Sequence, residues 1–354
     1  MSPTSTDVMG RRAARRGISA ARVTLRSAFV TCGLLLLLLL AAILLTSFLG
    51  SERLPARATM CALLSLGNSS CGLTSEQSAI LLEIRLPRIL LAAAVGASLA
   101  AAGASYQALL RNPLAEPYLL GISNAAAVGT MIALVFFGTL EWSRPLMAFI
   151  GALLATLVVY RLGQGRAGAT PERLILAGVI VTTFLSSAIV FVTTLMDATR
   201  IRSFTFWLLG DLSGATTSLL MLAMFVAVVG TIVLTMNARS LNLLMLGERD
   251  AFDLGVEVTR VRLVVFVAAS LLVGSSVASG GSVGYVGLVV PHLVRLSFGS
   301  DNRLTIPAAA LAGALFVVVA DTVARTIIAP RELPVGAITA LIGAPLFVYL
   351  LKRR

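Results

Sequence analysis

Residues 85–110 read RLPRILLAAAVGASLAAAGASYQALL, and this stretch decides the fold. It exceeds the ~20 residues that a helix needs to cross ~30 Å of hydrocarbon. Within it Ala92, Gly96, Ala100 and Ala104 recur at four-residue spacing, with Ala93, Ala97, Ala101 and Ser105 beside them. That spacing puts each set on one helix face, and small residues there let neighbouring backbones approach closely. The span is therefore expected to lie among other helices rather than against lipid. The plainer alternative is that Ala and Gly are simply common in membrane helices.

Outward from this stretch the whole chain is of the same kind. Of its 354 residues 58% are apolar and 12% charged, against roughly 45–50% and about 25% in soluble domains. Ten runs approach spanning length: 27–49, 84–109, 115–138, 143–163, 173–195, 214–236, 261–280, 285–298, 306–328 and 335–351. The expected class is all-α, a polytopic membrane protein. Spans two to five and seven to ten form two sets of four that enter in opposite directions, as an inverted repeat would.

Charge orients these spans. Arg11, Arg12, Arg15, Arg16, Arg22 and Arg26 precede the first run, which is too long for a signal-peptide core and reads as an uncleaved anchor. This gives a basic cytoplasmic tail over 1–26 and one transmembrane domain over 27–354. With ten spans both termini are cytoplasmic, and nineteen basic residues fall inside against nine outside, in keeping with the positive-inside rule. The net charge of +12 is thus assigned to topology, with no nucleic-acid partner.

Single residues exclude several chemistries. The lone lysine, Lys352, cannot serve a phosphate-binding loop, and the lone histidine, His292, gives no basis for a zinc site or a Ser–His–Asp hydrolase. No enzyme, no metal site and no cofactor of its own are expected. A run of buried carboxylates for a proton or sodium path is also missing, which disfavours a gradient-driven secondary transporter, the alternative reading.

Four polar segments carry the remaining signal. Residues 240–260 hold Glu248, Asp250, Asp253 and Glu257 against Arg249, with Leu241, Leu244, Met245, Phe252 and Leu254 between breaks at Gly247 and Gly255. An acidic, partly apolar cytoplasmic loop reads as a knob for a soluble partner or as a loop packed on its own bundle. Asn112, Pro113, Glu116 and Pro117 break the helix after the second span, either as a tight turn or as the lining of a wet path. Asp321 and Arg325, four apart, can pair along one helix or serve function. Cys61 and Cys71 share the loop between the first two spans, where an oxidised pair is expected.

At this point RLPRILLAAAVGASLAAAGASYQALLRNPLAEPYLLGISNAAAVG (85–129), GYVGLVVPHLVRL (284–296) and ADTVARTIIAPRELPVGAITALIGAPLFVYLL (320–351) together resemble the permease subunits of the iron-siderophore, haem and vitamin B12 ABC importers. The resemblance implies a homodimer, two cytoplasmic ATP-binding subunits that hold ATP and Mg, and a periplasmic or extracellular substrate-binding protein, in a bacterial inner membrane. It matches Arg85, Arg88 and Arg325 to the arginines that dock the binding protein. It also matches Leu241, Leu244, Gly247, Glu248, Asp250, Asp253 and Gly255, within 240–257, to the helices that couple to the ATPase. Thr170, Pro171 and Glu172 correspond to the inner gate, where the vitamin B12 relative has small hydroxyl residues. The implied cargo is a metal chelate, with a ferric siderophore favoured over haem or vitamin B12.

Overall fold

The computed structural model describes residues 25–50, 52, 54–64, 72–137, 142–165 and 168–352. The basic tail over 1–24 and Cys71 lie outside them. The elements are α1 (Leu25–Phe48), α2 (Ala56–Leu64), α3 (Ser75–Ala79), a π turn (Ile80–Arg85) and α4 (Leu86–Leu109). A 3-10 turn (Pro117–Leu120) then leads to α5 (Ile122–Phe136) and α6 (Ser143–Gly163), and a hairpin of β1 (Gln164–Gly165) and β2 (Gly168–Ala169) leads to α7 (Pro171–Thr193). The rest is α8 (Ala198–Leu208), α9 (Thr217–Met236), α10 (Ala238–Leu246), α11 (Glu248–Asp253), α12 (Val258–Gly280), α13 (Val286–Phe298), α14 (Asn302–Thr326) and α15 (Val335–Lys352).

Seven of these helices are long and apolar enough to cross a membrane, and three shorter apolar ones occupy the remaining expected places. The chain is an all-α, multi-pass membrane protein. The third expected span begins at Ile122 rather than 115, because Pro113 and Pro117 leave 111–121 without regular helix. Helix starts follow from side chains: Thr74 and Gln77 form a capping box on α3, and Asp197, Thr216 and Asp301 cap α8, α9 and α14.

Helix α4 is the axis. Together with α3 it makes a continuous 35-residue helix whose apolar window is 89% buried, against 6% for α1. The small-residue faces explain this. A Cβ placed on Gly96 would overlap the carbonyl of Gly313 on α14, and one on Gly103 would overlap the carbonyl of Gly287 on α13. Gly129 and Gly151 do the same for α5 and α6, against Met147 and Ala125. In a bilayer such contact is held by van der Waals packing over closely apposed backbones, since lipid is as apolar as leucine.

The short helices mark a second regularity. Helices α5 and α13 each hold second place in a set of four and are the shortest of the ten, with 15 and 13 residues. A Cβ on Gly280, at the end of α12, would meet Val95 of α4. Since Gly287 lies against Gly103, the irregular segment 281–285 sits about 15–27 Å along α4 from Arg85, at 1.5 Å per residue. It is thus deep within the bundle.

Replacing Gly96 by Leu should cost about 3 kcal/mol or more, because backbone on both sides must move. Thermal unfolding in detergent should show a clear loss for Gly96→Leu and none for Gly33→Leu, since nothing lies within 4 Å of a Cβ at Gly33.

Candidate functional site

At one end of the bundle the three matched arginines converge. Arg88 donates from Nε and Nη2 to Asp321 Oδ1 at 3.1 and 3.0 Å, and from Nη1 to Glu332 Oε2 at 2.7 Å. Arg325 pairs with the other oxygen of Asp321 at 3.0 Å, so the pairing along α14 is one arm of a larger cluster. Arg85 donates to the Ser47 and Glu52 carbonyls at 3.0 and 2.9 Å, holding the end of α1. All three arginines are at most 7% exposed.

The guanidinium groups of Arg88 and Arg325 are turned inward because Asp321, itself buried, needs counter-charge, and that of Arg85 is held by backbone carbonyls. What reaches the surface there is the turn after α14, with Ile327, Ile328, Arg331 and Glu332 exposed.

At the opposite end, α10 and α11 make a short helical pair with two faces. Leu241 and Leu244, exposed unless something covers them, are buried against the bundle, whereas Leu246, Phe252 and Leu254 are more than 60% exposed. Glu248 is the hub. It accepts from Arg262 of α12 at 2.6 Å and faces Arg111, beyond α4, at 3.7 Å. Arg262 also donates to the Ala169 carbonyl, one residue before Thr170. Asn242 donates to Asp301 at 2.7 Å and accepts from the Asn302 backbone at 2.9 Å, tying α10 to the start of α14.

A shallow cavity of about 430 Å³ beside this pair is lined by Glu248, Arg249, Phe252, Asp253 and Arg262, among others. Asp250 and Asp253 are exposed. Gly247 and Gly255 take φ of 149° and 84°, which glycine permits at little cost.

The proline motif does more than turn. Asn112 Oδ1 accepts from the Leu114 backbone at 2.9 Å, the turn expected of it. Glu116, however, reaches across to the Tyr285 backbone N–H at 3.0 Å, Tyr118 donates to the Val283 carbonyl at 2.8 Å, and Ser123 bonds Ser282 at 3.3 Å. The two irregular segments that precede α5 and α13 are thus stitched together deep in the bundle, with the Glu116 carboxylate at the start of α13. Backbone freed from helix at this depth is tolerated where protein satisfies it.

Thr170 accepts from the Arg173 backbone at 3.5 Å and caps α7, with Pro171 in its first turn; Glu172 is exposed there. Cys61 takes part in a disulfide. His292 stands edge-on to Phe347, with ring centroids 6.3 Å apart.

Sequence reasoning missed three of these partners. Glu332, Arg262 and Tyr106 drew no assignment from the sequence, although the Tyr106 hydroxyl lies 2.5 Å from that of Ser270 in the interior. Only the scarcity of charge near spans could have flagged the first two.

The fold is thus an all-α bundle with polar ties at both ends and bonded breaks between them. The chain belongs to the FecCD transport family, whose model matches residues 36–353. It is 41% identical to the hemin transport system permease protein of Yersinia pestis over 78% of this chain and 84% of that one. It is 43% identical to the vitamin B12 import system permease protein of Vibrio cholerae, over 79% and 85%.

A solved inward-facing metal-chelate type ABC transporter is 30% identical and covers 91% of this chain and 99% of its own, with a TM-score of 0.79. PsaBC from Streptococcus pneumoniae shares the fold, at 15% identity and a TM-score of 0.51 over 75% and 90%. The protein is accordingly a transport permease subunit and not an enzyme; ATP hydrolysis belongs to a separate ATPase.

Two outcomes follow from the polar ties. Asp321→Ala leaves Arg88 and Arg325 facing each other without their shared carboxylate and should cost about 3–5 kcal/mol, read as a lowered unfolding midpoint. Burial works to raise the Asp301 carboxyl, but hydrogen bonds from Arg303 and Asn242 outweigh it and hold the group below its ordinary 3.8. A depressed acid stabilises the fold above its unfolded value and loses that contribution as pH falls through the folded value. Unfolding of the wild type should therefore ease below about pH 4, and Asp301→Asn should flatten that part of the profile.

Proposed function

We propose that this chain is the membrane permease of a binding-protein-dependent ABC importer that carries an iron chelate or a related metal complex across a bacterial inner membrane. A ferric siderophore is the cargo we favour. Hemin and vitamin B12 are named for relatives, and a metal chelate for the solved neighbour. The working unit is a homodimer with two ATP-binding subunits below, which hold ATP and Mg, and a substrate-binding protein above. Both termini and the 240–257 segment face the cytoplasm. Residues 1–26 are a basic tail and 27–354 one permease domain.

The observation that carries this reading is the two-faced helical pair α10–α11. Its outer face offers Leu246, Phe252 and Leu254 among Asp250 and Asp253, a mixed apolar and acidic patch suited to a partner's cleft. Its inner face is tied to Arg111 just beyond α4, to Arg262 of α12 and to the start of α14, and Arg262 in turn bonds the Ala169 carbonyl two residues before α7. A displacement of this pair by an ATPase would pull on three spans directly and on α7 through Arg262. Thr170, Pro171 and Glu172 begin the span nearest this tie, which suits an inner gate.

At the other end, docking falls to the exposed turn Ile327–Glu332, which Arg88 holds in place through Glu332. Arg88, with Arg325 on the same Asp321 carboxylate, thereby positions the docking surface, while Arg85 holds the end of α1. Alternating access then needs no covalent chemistry in this chain.

The test is to purify the tagged chain gently from its native membrane. Recovery of an ATP-binding subunit in equal number supports the reading, whereas transport by the chain alone, driven by an ion gradient and indifferent to ATP, sinks it. Phe252→Asp combined with Leu254→Asp should weaken the ATPase association about tenfold or more, with an unchanged unfolding midpoint.

A further inference from the structure

A cavity of about 690 Å³ opens at the arginine-cluster end, away from both the arginine cluster and the α10–α11 pair. It exists because α12 stops at Gly280, at the depth of Val95, while α6 and α9 flank it and begin beyond that level. Gly274 of α12 lies against Ala152 of α6, and Gly230 of α9 against Leu272 of α12. From those crossings α6 and α9 each run further toward this end than α12 does, by about 5–8 Å at 1.5 Å per residue. The gap above Ala278 and Ser279 is the cavity floor.

The walls have a composition that the transport argument does not use. Both tryptophans of the chain, Trp142 and Trp207, line the cavity, with Arg144 and Asp211. Arg144 is exposed and pairs with no carboxylate among the described residues. Asp211 spends one oxygen on the Ser213 backbone at 2.8 Å. Hydroxyls of Ser218 and Ser279 complete the polar lining.

The flanking helices face lipid: Leu146, Ile150 and Leu153 of α6 and Leu222, Phe225 and Val229 of α9 are exposed apolar side chains. A cavity between two such helices is continuous with the bilayer. Tryptophan is the side chain that settles at headgroup level.

We propose that this cavity seats the headgroup of a zwitterionic, amine-bearing phospholipid from the leaflet at that end, with its phosphate toward Arg144 and its ammonium toward Asp211. One cation and one anion on the walls match a headgroup that carries both charges, and would repel half of a purely anionic one. The bound lipid braces the segment between α8 and α9. Through Asp211 that segment donates to the Gly280 carbonyl, and through Gly210 it accepts from Val335, each at 3.0 Å. The lipid thus steadies the junction of α8, α12 and α15.

Native mass spectrometry on the full chain, relipidated with either phosphatidylethanolamine or phosphatidylglycerol and then exchanged into detergent, tests this. One phosphatidylethanolamine per chain should survive exchange. Arg144→Ala should reduce its retention about fivefold, in line with about 1 kcal/mol for a basic residue near a lipid surface, at an unchanged unfolding midpoint. Asp211→Asn, which keeps the acceptor for Ser213, should erase the preference over phosphatidylglycerol. Arg331→Ala, an exposed arginine outside the cavity, should leave the retention of both lipids unchanged.

Equal retention in Arg144→Ala and wild type, equal retention of the two lipids by the wild type, or an equal loss in Arg331→Ala overturns the proposal. Displacement of the lipid by millimolar glycerophosphoethanolamine overturns it too, by assigning the site to a soluble phosphate ester.

Discussion

The close approach of α4 to its neighbours is the constraint on which everything else rests. Where Gly96 meets Gly313 and Gly103 meets Gly287, helix backbones touch with no side chain between them. In lipid no hydrophobic drive pushes helices together, so contact area over touching backbones has to hold them. That contact fixes how far α14 and α13 can sit from the axis. It thereby fixes where Asp321 meets Arg88 at one end, and how deep the break before α13 lies.

The two ends are held by different kinds of polar contact. At the arginine cluster, charges buried inside one chain satisfy one another and leave little for a partner. At the α10–α11 end, Glu248 and Asn242 face inward while Phe252 and Leu254 face out. One end is therefore closed by ion pairs within the chain, and the other presents apolar side chains outward.

Much of this was legible in the sequence. The four-residue spacing of Ala92, Gly96, Ala100 and Ala104 announced an enclosed helix, because one helical face is a local property of the chain. The apolar runs were legible because length and composition are likewise local properties of the chain. Side-chain direction was not. Arg88 stands among apolar residues at the start of a span, and nothing local says whether its guanidinium group faces water or Asp321, more than 200 residues later. Leu241 and Leu244 looked exposed because their cover comes from elements distant in sequence. Glu116 read as part of a turn, and its partner Tyr285 lies 169 residues away.

The contacts between the segments that precede α5 and α13 carry a mechanical meaning. Residues 111–121 link α4 to α5, and residues 281–285 link α12 to α13, each between two successive spans. Three hydrogen bonds run from the first link and the start of α5 to the second link. They fasten together two helix pairs that lie far apart along the chain, so a shift of one pair is felt by the other as a pull on those bonds.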